Sequence, residues 1–556
     1  MSLQFITGNS GNGKTKYLFN RIVKEAKANP RDNYLVIVPE QFTMQTQRQL
    51  VDLSENKAIM NIDVLSFKRL AYRVFDELGI TNLTVLEETG KNLVLRKLAA
   101  QEADKLGIIG RNLNRIGYIS EVKSLLSELV QYNISPEELG RYIASGRLSD
   151  TLSDKLKDVL VLYEAFEKFM QDKYITAEEI LNVLSNVAEE SAILRNSVIA
   201  FDEFTGFTPI QNQLIKKLFV ISKKIYVTLT IDCREDIFKS RGMQELFDMP
   251  KRTVKSLTEM AAFYGIEVDE PIILDKNYRL AENEELSFME QQLFRKRRCS
   301  FEKAPKYIHI DCLRDPKQEL TKIARRINEL VRNENLRYRD IAIVTGDVNI
   351  YAGYVREIFD KYNIPYFIDA TQEILFHPFI EFIRSIPDIA AQNFSADAVF
   401  RFLRCGFTEL SAGEIDVLEN YVLACGVRGK SAWDKKWVRL PKHKAGYDLE
   451  LLNQSREYIM ELLKPVYQVF SDKKSTVKDY VLAIYKLIVL LDIPDKLAKK
   501  EQALLDAGDQ TASKEYGQIY KIVMQLFEKY VAVLGDECMD AEEFTQILDA
   551  GLDAAD

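Results

Sequence analysis

Histidine is nearly absent: His309, His377 and His443 are the only three in 556 residues. The six cysteines, Cys233, Cys299, Cys312, Cys405, Cys425 and Cys538, are scattered without a C-x-x-C pair. No zinc site can be assembled from such spacing, and the thiols read as buried and reduced, as in a cytosolic protein. Long apolar runs are also missing, which excludes a membrane-spanning helix. The chain opens straight onto a strand-like run, so no signal peptide is expected. Repeats and low-complexity tracts are absent. With a net charge of −8 the chain neither proposes nor excludes nucleic acid, because a local basic channel suffices. Hydrophobic residues make up 47% and charged residues 28%, ordinary values for a globular protein of three or four domains.

What is present is concentrated near the N-terminus. Gly8-Asn9-Ser10-Gly11-Asn12-Gly13-Lys14-Thr15 fits the phosphate-binding loop G-x-x-x-x-G-K-[ST] at every fixed position. The β-rich run Leu3–Thr7 precedes it, and Tyr17, Leu18, Ile22, Val23 and Ala26 follow at helical spacing. A strand, a glycine-rich turn and a helix N-terminus direct backbone N–H groups at an anion. Lys14 can reach the β- and γ-phosphates of ATP, and Thr15 can offer its hydroxyl to Mg²⁺. A nucleoside triphosphate site is the reading.

Residues 1 to about 85 alternate strands (Leu35–Val38, Ile62–Leu65) with helices. Long amphipathic helices follow from about Glu87 to Arg195, one started by Ser135-Pro136-Glu137-Glu138. Strands return at Ser197–Phe201 and Ile225–Ile231, as expected for a helical insert in one parallel sheet. A second α/β unit is predicted from about Tyr307. Its strands are Ile308–Leu313, Ile341–Val344 and Tyr366–Ile368, with a helix from Asp315-Pro316 to about Arg332. Beyond about Leu375 the pattern is helical to Asp556, where the chain stops as though part of something longer.

A phosphate loop needs carboxylates for Mg²⁺ and for the attacking water. Val198-Ile199-Ala200-Phe201-Asp202-Glu203 offers Asp202 for the metal and Glu203 as the catalytic residue orienting water. With Phe204 and Thr208-Pro209-Ile210-Gln211 behind it, this segment resembles motif II of superfamily 1 DNA helicases of the UvrD and RecB type. Pro39-Glu40-Gln41 resembles motif Ia, Leu65-Ser66-Phe67 motif Ib, and Tyr338–Val344 with Asn363–Tyr366 the region of motif IV. Within that superfamily the chain is similar throughout to the AddB (RexB) subunit of bacterial AddAB-type helicase–nucleases. The resemblance rests also on Phe201–Thr208, Leu418-Glu419-Asn420-Tyr421 and Gly426-Val427-Arg428-Gly429.

The resemblance implies an α/β P-loop NTPase fold, with RecA-like parallel-sheet domains and large all-helical insertions. Residues 1–86 and 196–285 would form the first RecA-like domain, and 87–195 a helical insertion. Residues 286–375 would start a second RecA-like domain and 376–556 a second helical insertion. It further implies ATP and Mg²⁺ as cofactors, an AddA-type partner, DNA as single strand and duplex end, and cytoplasmic localisation. Gln41, Ser66 and Phe67 become candidate DNA contacts. A nuclease domain with a 4Fe-4S cluster is expected only beyond these residues.

Departures from the motor pattern shape the functional expectation. No adenine-reading glutamine motif precedes the loop, and Thr230–Glu235 lacks the glycine and glutamine of motif III. The usual motif IV arginine is replaced around Thr345-Gly346-Asp347, and the motif VI arginine would lie past Asp556. A helicase-like, non-motor scaffold that scans single-stranded DNA for a Chi-type sequence is therefore expected, with slow ATP turnover. Alternatives are a self-sufficient superfamily 1 helicase and, more remotely, a small-molecule kinase. Nuclease carboxylates are not evident, since Pro387-Asp388 and Pro494-Asp495 read as helix boundaries. The basic run Arg295-Lys296-Arg297-Arg298 is either solvated surface or a phosphate contact. Trp433 and Trp437, amid Lys430, Lys435, Lys436, Arg439, Lys442 and Lys444, would share a helix face. Either they stack on single-stranded DNA or they pack into the helical domain.

Overall fold

A computed structural model describes all residues except 81–84, 109, 111–117, 147, 171–173, 296–298, 370–373, 441–446, 473 and 554–556, and the side chains of residues 89 and 553. The chain divides into two compact units, residues 1–80 with 181–372, and residues 81–180 with 373–556.

The first unit is built on a parallel sheet. Its strands run in the order Ile62–Leu65, Tyr34–Ile37, Val198–Phe201, Lys224–Thr230, Ser2–Gly8, with Glu267–Val268 and Ile272–Leu274 both beside Ser2–Gly8. The apolar runs seen in the sequence are buried on both faces, as a sheet covered by crossover helices requires. On one side Ile6, Val36 and Ala200 pack with Leu18, Phe19 and Ile22 of the helix Lys14–Ala28. Leu35, Ile37, Ile199 and Phe201 alternate onto the other side and are equally buried. Thr208-Pro209-Ile210-Gln211 is a capping box: the Gln211 carboxamide accepts the Thr208 N–H at 2.9 Å and starts the helix Pro209–Ile221. The fold is α/β and RecA-like.

The predicted strands of the second α/β unit are not paired into any sheet among the described residues. Ile310, Val344 and Phe367 are 93%, 92% and 88% exposed. The apolar runs are real, but a strand is completed by ladder partners from elsewhere in the chain, and here nothing described supplies them. What forms is a two-helix layer, Pro316–Asn333 and Val348–Lys361, closed by Leu320, Ala324, Ile327, Ile358 and Phe359.

The second unit is helical, with one short parallel pair, Val85–Leu86 and Ile175–Thr176. It gathers two segments that the sequence reading kept apart. The helix Glu88–Gln101 packs on the C-terminal helices through Leu93, and Lys97 and Glu87 pair with Glu537 and Lys529 at 2.6 Å each. Pro494 does start a helix, Ile493–Asp506. Pro387 does not mark a boundary: it lies inside the helix Pro378–Ala391, and Asp388 pairs with Arg401. There Pro387 donates no backbone hydrogen bond, and its ring is buried on the face the helix turns to the apolar core. Among the described residues no helix is long and apolar enough to cross a membrane. All six cysteines are free thiols, but none is buried as expected: Cys299, Cys312 and Cys538 are exposed and the other three half-buried.

Candidate nucleotide site

Parallel strands point their C-terminal ends the same way, so the phosphate loop after Ser2–Gly8 and the carboxylates after Val198–Phe201 open on one edge. One strand, Lys224–Thr230, lies between them and contributes Thr228.

The loop is held from below. Gly11 and Gly13 adopt φ values of 88° and 80°, which favour glycine. A Cβ on Gly11 would also come within 2.8 Å of Asn277 Oδ1 and Arg279 Cβ. Asn9 and Asn12 turn their side chains away from the anion position. Asn9 donates to Glu290 Oε1 at 2.9 Å and accepts the Cys233 N–H at 3.2 Å, while Asn12 donates to Leu274 O at 2.6 Å. Ser10 is exposed, and its carbonyl accepts from Asn277 Nδ2 at 3.0 Å. Lys14 Nζ donates to Gly8 O and Asn9 O at 3.0 Å each, folding back over its own loop. Burial lowers the Lys14 pKa, with Glu203 and Asp202 opposing and nearby Arg279 adding to the depression. A phosphate oxygen would offer that ammonium a charged acceptor in place of two carbonyls.

Thr15 Oγ1 lies 3.3 Å from both Asp202 Oδ1 and Glu203 Oε1. Asp202 is 1% exposed, and its Oδ1 also accepts from Thr228 Oγ1. Its Oδ2 is buried with no hydrogen-bond partner. Burial raises the Asp202 pKa, against the Thr228 and Thr15 hydroxyls, and the neighbouring Glu203 carboxylate pushes it further up. A buried carboxylate oxygen without a donor, beside a threonine hydroxyl, is the hard-oxygen chemistry that Mg²⁺ takes. The residues fit that ion as a partner shared with phosphates and water. Among the described residues no group of three or more His, Cys, Asp and Glu could hold a metal alone. Glu203 sits at φ 64°, left-handed backbone that costs a non-glycine residue energy. That turn carries its carboxylate out of the strand direction to Thr15.

Tyr278 and Arg279 belong to this site and were missed in the sequence. Both line the same pocket of about 790 Å³ as Lys14, Thr15, Asp202 and Glu203. The Tyr278 N–H donates to Gly11 O at 3.0 Å, and Asn277 Oδ1 accepts from the N–H groups of Arg279 and Leu280. The pocket therefore does contain an arginine and an aromatic ring. Thr345, Gly346 and Asp347, where an arginine was sought, do not line it. The available signal was Asn277-Tyr278-Arg279 directly after the short strand Ile272–Leu274, which pairs beside Ser2–Gly8.

Residues 5–290, more than half of the chain, match the family described as ADDB, N-terminal. The chain belongs to the AddB family. It is 38% identical to an ATP-dependent helicase/deoxyribonuclease subunit of Lachnoclostridium phytofermentans, over 99% of this chain and 49% of that one. Subunits of the same name from Clostridium acetobutylicum and Caldanaerobacter subterraneus are 31% and 32% identical, over 99% and 100% of this chain and 48% of each of theirs. The chain thus spans about half the length of these curated relatives.

In this AddB-family chain the stretch Thr230–Glu235 is tied to the phosphate loop through the Cys233–Asn9 contact. Buried Asp232 receives Arg234 at 2.6 Å and Arg295 at 2.8 Å. Burial raises its pKa, but the Arg234 hydrogen bonds overcome this and hold it at about 2. Arg295 is thereby accounted for, while Lys296, Arg297 and Arg298 lie outside the described residues.

The candidate DNA contacts divide sharply. Gln41 is exposed in the turn Glu40–Phe42. Ser66 is buried: it caps the helix Phe67–Leu78 and donates to Glu40 Oε2 at 2.7 Å. Phe67 is buried too, its ring 5.8 Å from Phe201 and 5.6 Å from Phe204. Trp433 and Trp437 are core residues of the helical unit, with rings 5.2 Å apart, and cannot stack on bases. The expected shared helix face does not exist, because the helix Lys430–Trp433 ends before Trp437. Large apolar rings gain more from burial than the flanking lysines could gain by drawing them to the surface. Lys442 and Lys444 lie outside the described residues.

Proposed function

We propose that this chain is the ATP-binding, DNA-handling part of an AddB-type subunit of an ATP-dependent helicase/deoxyribonuclease. It would work in the cytoplasm with an AddA-type partner on DNA ends destined for homologous recombination. The observation that carries the nucleotide half is the convergence of Lys14, Thr15 and the unsatisfied Asp202 oxygen on one pocket. The names of the relatives support the DNA half.

In this reading the loop N–H groups and Lys14 bind the phosphates, and Thr15 and Asp202 hold Mg²⁺. The ion supplies charge neutralisation at the β- and γ-oxygens when bound. Glu203, exposed and turned towards Thr15, orients water for attack. Tyr278 offers a stacking face to the base. Arg279 supplies positive charge beside the phosphates.

The chain acts as a scaffold that scans single-stranded DNA for a Chi-type sequence, with Gln41 the contact that remains accessible. Cleavage and any 4Fe-4S cluster are assigned to parts of the whole protein outside residues 1–556. A self-sufficient helicase is the second reading, and Arg279 specifically favours it, since an arginine at the transferring phosphate accelerates hydrolysis. Against it stands the Thr230–Glu235 stretch, whose buried Asp232 is held by two arginines and offers a DNA strand no lever. Steady-state ATP turnover with and without single-stranded oligonucleotide tests this. Slow turnover unaffected by the strand is expected. Strong stimulation, abolished in Glu203→Gln, would replace the scaffold reading with the motor.

A further inference from the structure

A dense run of positive charge lies in the helical unit. Between Arg428 and Lys444 the chain carries seven lysines and arginines against a single acid, Asp434, although the chain as a whole is at −8. Asp434 is occupied by Lys430 at 2.6 Å. Arg428, Lys435, Lys436 and Arg439 are exposed, and no carboxylate among the described residues pairs with any of them. Exposed like charges gathered in a short segment attract anions, and an extended polyanion most of all.

The loop that presents these cations is built from within. Arg456 and Asn453 are both buried. Arg456 Nη1 donates to Trp433 O at 2.9 Å, and Asn453 accepts from Trp437 N–H and donates to Trp437 O, both at 2.9 Å. The Trp437 indole N–H donates to Ala432 O at 3.0 Å, and the Tyr421 hydroxyl to Arg439 O at 2.7 Å. Lys435 and Lys436 thus sit between two anchored tryptophans, and Arg439 on a third anchor. A backbone pinned at three points loses little freedom when its side chains bind, which is how affinity is gained by preorganisation.

We infer that the exposed cations of 428–439 form a sequence-independent contact for the phosphate backbone of DNA. The tryptophans position this contact and do not touch the ligand. A polyanion suits a group of unpaired cations, and neither buried indole offers a face to read bases. The inference rests on the proposed DNA-handling role.

The test uses the whole 556-residue chain, the neutral triple variant Lys435→Gln/Lys436→Gln/Arg439→Gln and the corresponding glutamate triple. Binding of a labelled oligonucleotide, as single strand and as hairpin duplex, is followed by fluorescence anisotropy across a salt series without ATP. Three lost phosphate contacts should flatten the slope of log affinity against log salt by roughly 2 for a single strand and somewhat more for duplex. Affinity at low salt should fall about tenfold or more, further in the glutamate variant, with the melting temperature unchanged. If the parent chain binds DNA and both variants keep its slope and affinity, this inference fails and the DNA-handling role stands. Weaker binding at an unchanged slope overturns it equally, because the contact would not be to phosphate. If the parent chain binds neither DNA form, both readings fall together. Capture of an acidic protein by this loop, with DNA binding intact in the variants, also overturns it.

Discussion

Asp202→Asn should make the nucleotide-free protein more stable while destroying its response to Mg²⁺·ATP. The carboxylate is 1% exposed, two threonine hydroxyls serve one oxygen, and the other oxygen has no donor. Leaving a buried polar atom unsatisfied costs about 1–3 kcal/mol, and more when it is charged. Asparagine keeps an oxygen for Thr15 and Thr228 and leaves a neutral amide in place of the unpaired charged oxygen, so roughly 1–2 kcal/mol should be recovered from the lost charge alone. For a unit of this size that is a rise of about 2–8 °C in melting temperature.

The pH dependence carries the sign. The folded-state pKa of Asp202 is raised above its ordinary 3.8, chiefly by burial. Below 3.8 the carboxyl is protonated in both folded and unfolded chains, and the parent loses nothing to ionisation. As pH rises from 3.8 through the elevated folded pKa, the unfolded chain ionises first and the parent is progressively destabilised. The advantage of Asp202→Asn must therefore grow with pH and level off above the folded pKa. Scanning calorimetry between acid and neutral pH, in chelator, measures it. Addition of Mg²⁺ with a non-hydrolysable ATP analogue should then stabilise the parent and not the variant. An asparagine variant less stable than the parent at neutral pH, or one that still responds to Mg²⁺ and nucleotide like the parent, would refute the assignment of Asp202.

Lys14→Ala should weaken ATP binding by about 10- to 100-fold, the value of a charge-assisted hydrogen bond to phosphate, with the melting temperature nearly unchanged; calorimetric titration reports both. Tyr278→Ala should weaken ATP more than inorganic triphosphate, because only the former has a base to stack, and competition binding separates the two. Trp433→Ala should cost about 3–5 kcal/mol in the melting of the helical unit while leaving ATP affinity intact, the reverse of what a base-stacking role would give. Residues 1–556 alone should show no Mg²⁺-dependent DNA cleavage; cutting that co-purifies with the chain would return attention to Asp388 or Asp495.

Local order in the chain was enough for the phosphate loop, for Asp202 and Glu203 after an apolar strand, and for the helices started at Ser135 and Asp315. Each of these is specified within a few residues by backbone conformation, capping and spacing. Thr228, Tyr278 and Arg279 were invisible in that way, because Thr228 lies on a strand, and Tyr278 and Arg279 in the loop after a strand, that the order of the sheet brings alongside Ser2–Gly8. The apolar runs 308–313, 341–344 and 366–368 look like strands locally, yet hydrogen-bonded partners make a strand, and those are a property of the whole fold. Trp433 and Trp437 show the opposite error. Their lysine-rich neighbours suggest rings that stack on bases, but Asn453 and Arg456, sixteen and more residues away, pin the backbone at both positions, and both rings lie in the core. Sequence alone singled out Lys14, Thr15, Asp202 and Glu203 as the candidates for phosphate and metal, since that chemistry travels with a short motif. Which side chains face the ligand and which face the core was decided only by tertiary structure, because burial depends on what the rest of the chain brings to the other side.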